Sequence, residues 1–65
     1  LESSWYVRTA ADADAVRTAF GEVNFLARAG APEHETAFLT GPMTRSQVES
    51  KLAGMEQLSL FRVLD

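Results

Sequence analysis

An alternating run of side chains near the start of the chain predicts the strand around which the other elements are organised. Residues 5–10 combine two aromatic side chains with β-branched ones, a composition typical of a packed, pleated strand. Successive side chains of a strand point to opposite faces of its sheet. One face of this strand therefore carries Trp5, Val7 and Thr9, and the other carries Tyr6, Arg8 and Ala10.

Two later segments repeat the apolar spacing i, i+4, i+7 that is typical of a helix packed by one stripe against a core. Asp12 is placed to cap the first helix, and we expect that helix to end through Asn24 in a left-handed conformation. Thr44 and Gln47 fit a capping box at the start of the second helix. The apolar stripes are Val16, Phe20 and Val23 in the first helix, and Val48, Leu52 and Met55 in the second.

Three further runs, residues 25–29, 34–40 and 58–64, are predicted to be strands. The Gly-Ala-Pro-Glu turn signal at 30–33 joins the first two of them as a hairpin. Two right-handed β-α-β units joined in this way give an antiparallel sheet with both helices on one face. The sequence therefore predicts an α+β, ferredoxin-like βαββαβ sandwich with strand order 4-1-3-2. The whole of residues 1–65 forms one domain, which we expect to be part of a longer protein.

The helices of such a fold cover one face of the sheet, yet the predicted strands carry apolar side chains on both faces. One reading is a solvated face, in which Arg8, Arg28 and Arg62 stand among the apolar groups. The reading we favour is a homo-oligomer, formed by a partner sheet on that face or by pairing along a sheet edge.

Composition narrows the classes of function. The net charge is −3 and the six basic residues are scattered, so there is no basic stripe for a nucleic-acid backbone. The apolar runs are far shorter than the ~20 residues of a membrane span, and no membrane partner is expected. The chain has no cysteine, which excludes disulfides and thiolate chemistry. A cytoplasmic setting is the default expectation.

The residues offer little for catalysis. His34 stands between Glu33 and Glu35, but neighbouring strand residues point to opposite faces, so we expect an exposed turn histidine rather than a metal ligand or general base. Asp12 and Asp14 suit helix capping better than paired acid–base chemistry. The four glycines are isolated and form no phosphate loop. We therefore expect no catalytic residue and no metal site.

Several short stretches resemble the ACT domain, an amino-acid-sensing module appended to many enzymes of amino-acid metabolism. Residues 5–8, Trp-Tyr-Val-Arg, are similar to the Tyr-Tyr-Leu-Arg opening strand of the ACT domain at the C-terminal end of homoserine dehydrogenases. Residues 23–25, Val-Asn-Phe, resemble the Val-Asn-Ile step that follows the first helix of that domain. Residues 37–44 and 60–65 are similar to its third strand with Thr-His-Pro-Val and to its closing strand.

The resemblance implies a regulatory and dimerising domain without a cofactor of its own. It implies threonine as a feedback ligand, and an NAD(P)-dependent homoserine dehydrogenase as the parent enzyme. Aspartokinase and phosphoglycerate dehydrogenase are alternative parents. Another alternative is an ACT-like module that has lost ligand binding and serves oligomerisation alone. A small ferredoxin-like enzyme or RNA-binding domain is disfavoured, because the sequence offers neither a set of nucleophile and base nor aromatics with basic neighbours.

The ligand site implied by the resemblance lies where the first strand meets the first helix. ACT domains usually carry Asp-x-Pro-Gly there, and the glycine lets an amino acid approach backbone amides. This chain instead has Asp12, Ala13, Asp14 and Ala15, with Asn24 across the helix. Asp14 adds negative charge and Ala15 adds a Cβ, so we predict weak or absent threonine binding. Any site that remains is expected to lie at a subunit interface.

Overall fold

The computed structural model describes residues 2–27 and 35–63, which form four strands and two helices in the order β-α-β-β-α-β. Residues 28–34, with the predicted hairpin turn and His34, lie outside the described residues, as do residues 64 and 65 at the end of the predicted last strand. The elements are β1 (Trp5–Thr9), α1 (Ala13–Phe20), β2 (Asn24–Leu26), β3 (Thr36–Leu39), α2 (Arg45–Lys51) and β4 (Gln57–Arg62).

The strands form one sheet in the order β2-β3-β1-β4, and every neighbouring pair is antiparallel. Read from the opposite edge, the same sheet runs β4-β1-β3-β2. In the centre of the sheet Tyr6 lies opposite Leu39 of β3 on one side and Phe61 of β4 on the other. The predicted α+β architecture, with an antiparallel four-stranded sheet and two helices, is confirmed. No helix within residues 2–27 and 35–63 is long and apolar enough to cross a bilayer.

Both predicted helix starts are confirmed, whereas the predicted end of the first helix is wrong. Asp12 caps α1, and Thr44 with Gln47 forms a complete capping box on α2. The first helix ends at Gly21, whose φ of 75° takes the left-handed turn that glycine adopts without steric cost. Asn24 is instead the first residue of β2, and no described residue other than glycine has a positive φ.

The core lies between the helices and one face of the sheet. Val16 of α1 and Val48 of α2 are both fully buried in the cluster that contains Val7 of β1. Since the side chain of Val7 points to one face only, both helices pack on that face, as predicted. The rest of the cluster is Trp5, Phe38 and Leu52, with Phe20, Val23, Met43, Met55 and Leu60 packed against it.

A fully buried hydroxyl joins the end of β1 to the segment before β4. Thr9 Oγ1 donates to the carbonyl oxygen of Glu56 at 2.7 Å and accepts from the N–H of Ala11 at 3.3 Å. The N–H of Ala10 donates to the same carbonyl at 3.1 Å, and the pairing of β1 with β4 has a register shift between Arg8 and Thr9. β1 ends at Thr9, one residue before Ala10, where the sequence placed its last residue.

We expect Thr9→Val to lower the free energy of unfolding by about 1–3 kcal/mol, because the partly buried Ala11 N–H loses its acceptor and the buried hydroxyl is replaced. The matched control is Thr18→Val on the exposed surface of α1, where the hydroxyl donates to the carbonyl of Asp14. That change should stay within about 0.5 kcal/mol. Urea unfolding of both variants measures the difference, and equal effects would contradict the role of Thr9.

Candidate functional site

The predicted ligand residues at the start of α1 are engaged in capping the helix. Asp12 Oδ1 accepts a hydrogen bond from the N–H of Ala15 at 2.8 Å. The carboxylate of Asp14 lies 3.1 Å from Nη1 of Arg17, one turn along the helix. The Ala15 N–H, one of the amides expected to meet an amino-acid carboxylate, therefore already has a carboxylate as its partner within the chain.

Asn24, the fifth predicted ligand residue, lies in the sheet away from the start of α1. It is opposite Leu39, which in turn is opposite Tyr6 of β1. Asp12 follows Thr9, and Thr9 is three residues further along β1 than Tyr6. At 3.3 Å per residue, the distance from Tyr6 to Thr9 along β1 is about 10 Å. One copy of the chain does not bring Asn24 and the α1 start together, and a site assembled between two copies stays a prediction.

Asn24 does line a groove of about 700 Å³ at the end of α1. Two oppositely charged side chains, Arg17 and Glu22, line the same groove, together with the apolar side chains of Val23 and Phe25. Gly41 lines it from the other side, and a Cβ added there would meet no atom within 4 Å. The groove is therefore polar and charged at some points and apolar at others, and it has room for a small molecule.

Arg17 is held on the wall of this groove by two contacts. Its Cζ lies 4.8 Å from the centre of the Phe25 ring, a cation–π contact, and its Nη1 lies 3.1 Å from Asp14. Sequence reasoning missed Arg17 because the contact depends on how α1 crosses β2. No local motif signals such a contact between an exposed helix residue and a strand.

The larger candidate is the sheet face opposite the helices, which we call the open face. The side chains of Tyr6 and Arg8 define it, together with those of their cross-strand neighbours. The rings of Tyr6 and Phe61 stack with their centres 6.1 Å apart, and 61% of Phe61 is exposed. No helix among the described elements lies over these rings. The further members of the open face are Leu26, Ala37, Leu39 and Ser59.

A charged pair lies beside the apolar part of the open face. Nε of Arg8 is 3.9 Å from Oε1 of Glu35, and the two side chains are 31% and 18% exposed. That distance is too long for a hydrogen bond. Nε of Arg8 is buried and donates no hydrogen bond to the residues that the structure describes. The cross-strand neighbours of Arg8 are Ala37, which is buried, and Ser59.

The described residues of the groove and of the open face include no group that would hold a metal ion. No group of three His, Cys, Asp or Glu side chains that would hold a metal ion occurs within residues 2–27 and 35–63. The predicted absence of a metal site concerns the whole chain and stays a prediction, since His34 lies outside the described residues. What these two surfaces offer is binding, by apolar contact on the open face and by mixed contacts in the groove.

We expect Asp12→Ala to lower the free energy of unfolding by about 1 kcal/mol, because α1 loses its N-cap acceptor. Asp12→Asn is the matched control, since an asparagine side chain accepts the same bond and should leave stability nearly unchanged. Urea unfolding checks both variants. If the alanine variant were as stable as the asparagine variant, the carboxylate would not be capping the helix in solution and would be available to a ligand.

No protein-family model, no curated protein and no solved structure matches the chain. The resemblance to ACT domains therefore depends on the short motifs alone.

Proposed function

We propose that this chain is a ferredoxin-like module of the ACT type whose function is to self-associate through the open face. The observation that carries the proposal is the sheet face that no helix of the described residues covers, with Tyr6 of β1 stacked on Phe61 of the edge strand β4. The βαββαβ element order and the packing of both helices on one face support the ferredoxin-like assignment.

The composition of the open face supports a protein partner rather than water. Tyrosine, phenylalanine and arginine are enriched in protein interfaces, and tyrosine and arginine are frequent among the few residues that dominate the binding energy. Tyr6, Phe61 and Arg8 bring these residue types together on one surface. Burying apolar surface contributes roughly 25 cal/mol per Å². A 65-residue chain with one small core gains proportionally more from this burial than a large domain does.

The motifs at residues 5–8, 23–25, 37–44 and 60–65 support a more specific role for the association. By that resemblance the module belongs to an enzyme of amino-acid biosynthesis, with an NAD(P)-dependent homoserine dehydrogenase as the first choice. Aspartokinase and phosphoglycerate dehydrogenase are the other choices. In each case the module would link two subunits of the enzyme and carry regulation between them.

Amino-acid sensing is a second candidate function, and the groove favours it. Arg17 and Glu22 place a positive and a negative charge in one groove, which matches the carboxylate and the ammonium group of an amino acid. Val23 and Phe25 supply apolar contact for its side chain. The start of α1 is a poorer site, because the N–H of Ala15 is already bonded to Asp12.

We expect the isolated chain to sediment as a homodimer at about 100 μM, since even an interface that buries only about 1,000 Å² should associate at this concentration. Phe61→Ser should shift it to monomer, because it removes the exposed ring of the open face. Phe25→Ser is the matched control, since Phe25 is also exposed but lies on the helix face of the sheet. A folded monomeric wild type would overturn the proposal.

Threonine should bind weakly, with a dissociation constant above about 1 mM. The reason is that Asp14 places negative charge near the ligand carboxylate and the Ala15 amide is occupied. Titration calorimetry with threonine, isoleucine, methionine and serine is the measurement. Micromolar binding that Arg17→Gln abolishes and Asp12→Ala leaves intact would establish sensing at the groove. The reverse pattern would place the site at the start of α1.

A further inference from the structure

We propose that the outer edge of β4, the edge that faces away from β1, pairs with the same edge of a second copy of this chain. The two strands run antiparallel around a two-fold axis, with Phe61 opposite Phe61 of the second copy and Leu60 opposite Arg62 of the second copy. This contact is separate from the proposed association through the open face, because it uses main-chain groups at the side of the sheet.

The direction of the main-chain groups can be followed from β3 through β1 to β4. Successive residues of a strand in an antiparallel sheet direct their N–H and C=O groups to opposite sides. The N–H of Thr40 donates to the carbonyl oxygen of Trp5 at 2.9 Å, so Trp5 directs its groups towards β3. The N–H of Val63 donates to the carbonyl oxygen of Ser4 at 2.9 Å, so Ser4 directs its groups towards β4.

The same alternation places unpaired main-chain groups at Leu60 and Arg62. Val63 is bonded to β1, so Phe61, two residues earlier, also directs its groups to β1, where it lies opposite Tyr6. The N–H and C=O groups of Leu60 and Arg62 therefore point away from β1. Within the part of the chain that the structure describes, β4 is an edge strand and no other strand lies beside these groups.

These groups define a register in which β4 is complementary to itself. Opposite residues of an antiparallel pair alternate between those that exchange both hydrogen bonds and those that exchange none. If Leu60 exchanges hydrogen bonds with Arg62 of the second copy, the two-fold axis makes Arg62 exchange them with Leu60. All the outward groups of both residues are then bonded. Phe61 lies on the axis, at a position that exchanges no hydrogen bonds between the copies.

The irregular start of β4 favours this axis over the neighbouring one. An axis through Leu60 would also be symmetric, but it would place Arg62 opposite Leu58 of the second copy. Leu58 has no partner in β1, because the register of the pairing with β4 shifts there. Residues 59–62 pair regularly with β1, and the axis through Phe61 takes all its hydrogen bonds from this regular part.

The side chains at this register favour a second copy as the occupant. Opposite residues that exchange no hydrogen bonds bring their side chains closest, and an aromatic pair there stabilises a sheet. Phe61 is 61% exposed, and across the axis its ring meets the ring of the second Phe61. Because Phe61 also stacks on Tyr6, the aromatic contact would continue from one sheet into the other. The methylene groups of Arg62 would cover Leu60 of the second copy.

The composition of β4 does little to prevent such pairing. Natural proteins protect sheet edges with proline, with lysine or with charges that point inward. β4 has the sequence Gln-Leu-Ser-Leu-Phe-Arg, which contains no proline or lysine and a single charge at its end. The net charge of −3 on each copy is therefore not concentrated at this edge.

Hydrogen exchange of the main-chain amides tests the inference. In a single copy, the N–H groups of Leu60 and Arg62 meet solvent, and pairing between copies would protect them. A contact along one short edge belongs among the smallest interfaces, so we expect a dissociation constant of about 1 mM. Raising the chain concentration from about 100 μM to about 5 mM should then slow the exchange of both amides about 3-fold by mass action.

Two substitutions at Arg62 separate the edge contact from the open face. Proline lacks the N–H that points away from β1, so Arg62→Pro leaves the bonds between β1 and β4 in place and removes a bond between copies. Exchange at Leu60 should then not depend on concentration. Arg62→Val removes the same charge but keeps the N–H, so it should retain the slowing seen in wild type.

Unprotected amides at Leu60 and Arg62 at both concentrations would overturn the inference. Equal slowing in Arg62→Pro and Arg62→Val would also overturn it, since main-chain bonds would not then hold this edge. Protection at both concentrations that Arg62→Pro removes would support a tighter contact of the same geometry. The wild-type measurement needs no variant, so it decides the question even if the proline variant does not fold.

The edge contact and the proposed function can fail separately. A wild type that sediments as a dimer at the lower concentration, with unprotected amides at Leu60 and Arg62 throughout, rejects the edge contact and keeps the association through the open face. A wild type that is monomeric at the lower concentration, and in which these amides become protected at the higher one, rejects the association through the open face and keeps the edge contact.

Discussion

A sheet has two faces, and this chain has only two short helices with which to cover them. Because a β-α-β unit has a fixed hand, both helices fall on the same face and bury the side of β1 that carries Val7. The opposite side, with Tyr6, is left to the solvent or to a partner. The position of the core, the exposure of Phe61 and the proposed association all follow from this single constraint.

Self-association would add to the free energy of unfolding of this protein. Small domains bury only about 60% of the surface that their unfolded chains expose. A second copy on the open face would add apolar burial around Phe61 that the monomer cannot supply. By mass action, the apparent stability would then depend on protein concentration. Regulation need not act at a catalytic residue in such a module, since a ligand that changes the packing of α1 on the sheet would shift the association equilibrium.

The sequence correctly predicted features, such as helix caps, that depend only on residues close together in the chain. Asp12 and Thr44 were identified as caps because capping uses residues within one helical turn. Gly21 and Asn24 are both able to take a left-handed turn, and Gly21 takes it because Asn24 is already paired with Leu39 in the sheet. The groove beside Arg17 was missed for the same reason, since it depends on how α1 crosses β2.

The hydrogen bond between Thr9 and Glu56 spans 47 residues of sequence, and it has a consequence for how the chain is made. On a ribosome, β1 is synthesised early, but the strand that pairs with one of its edges is the last of the four. Until β4 has been synthesised, that edge of β1 presents unpaired N–H and C=O groups. Closure of the sheet, and with it the stacking of Tyr6 on Phe61, therefore has to wait for nearly the whole of this segment to leave the exit tunnel.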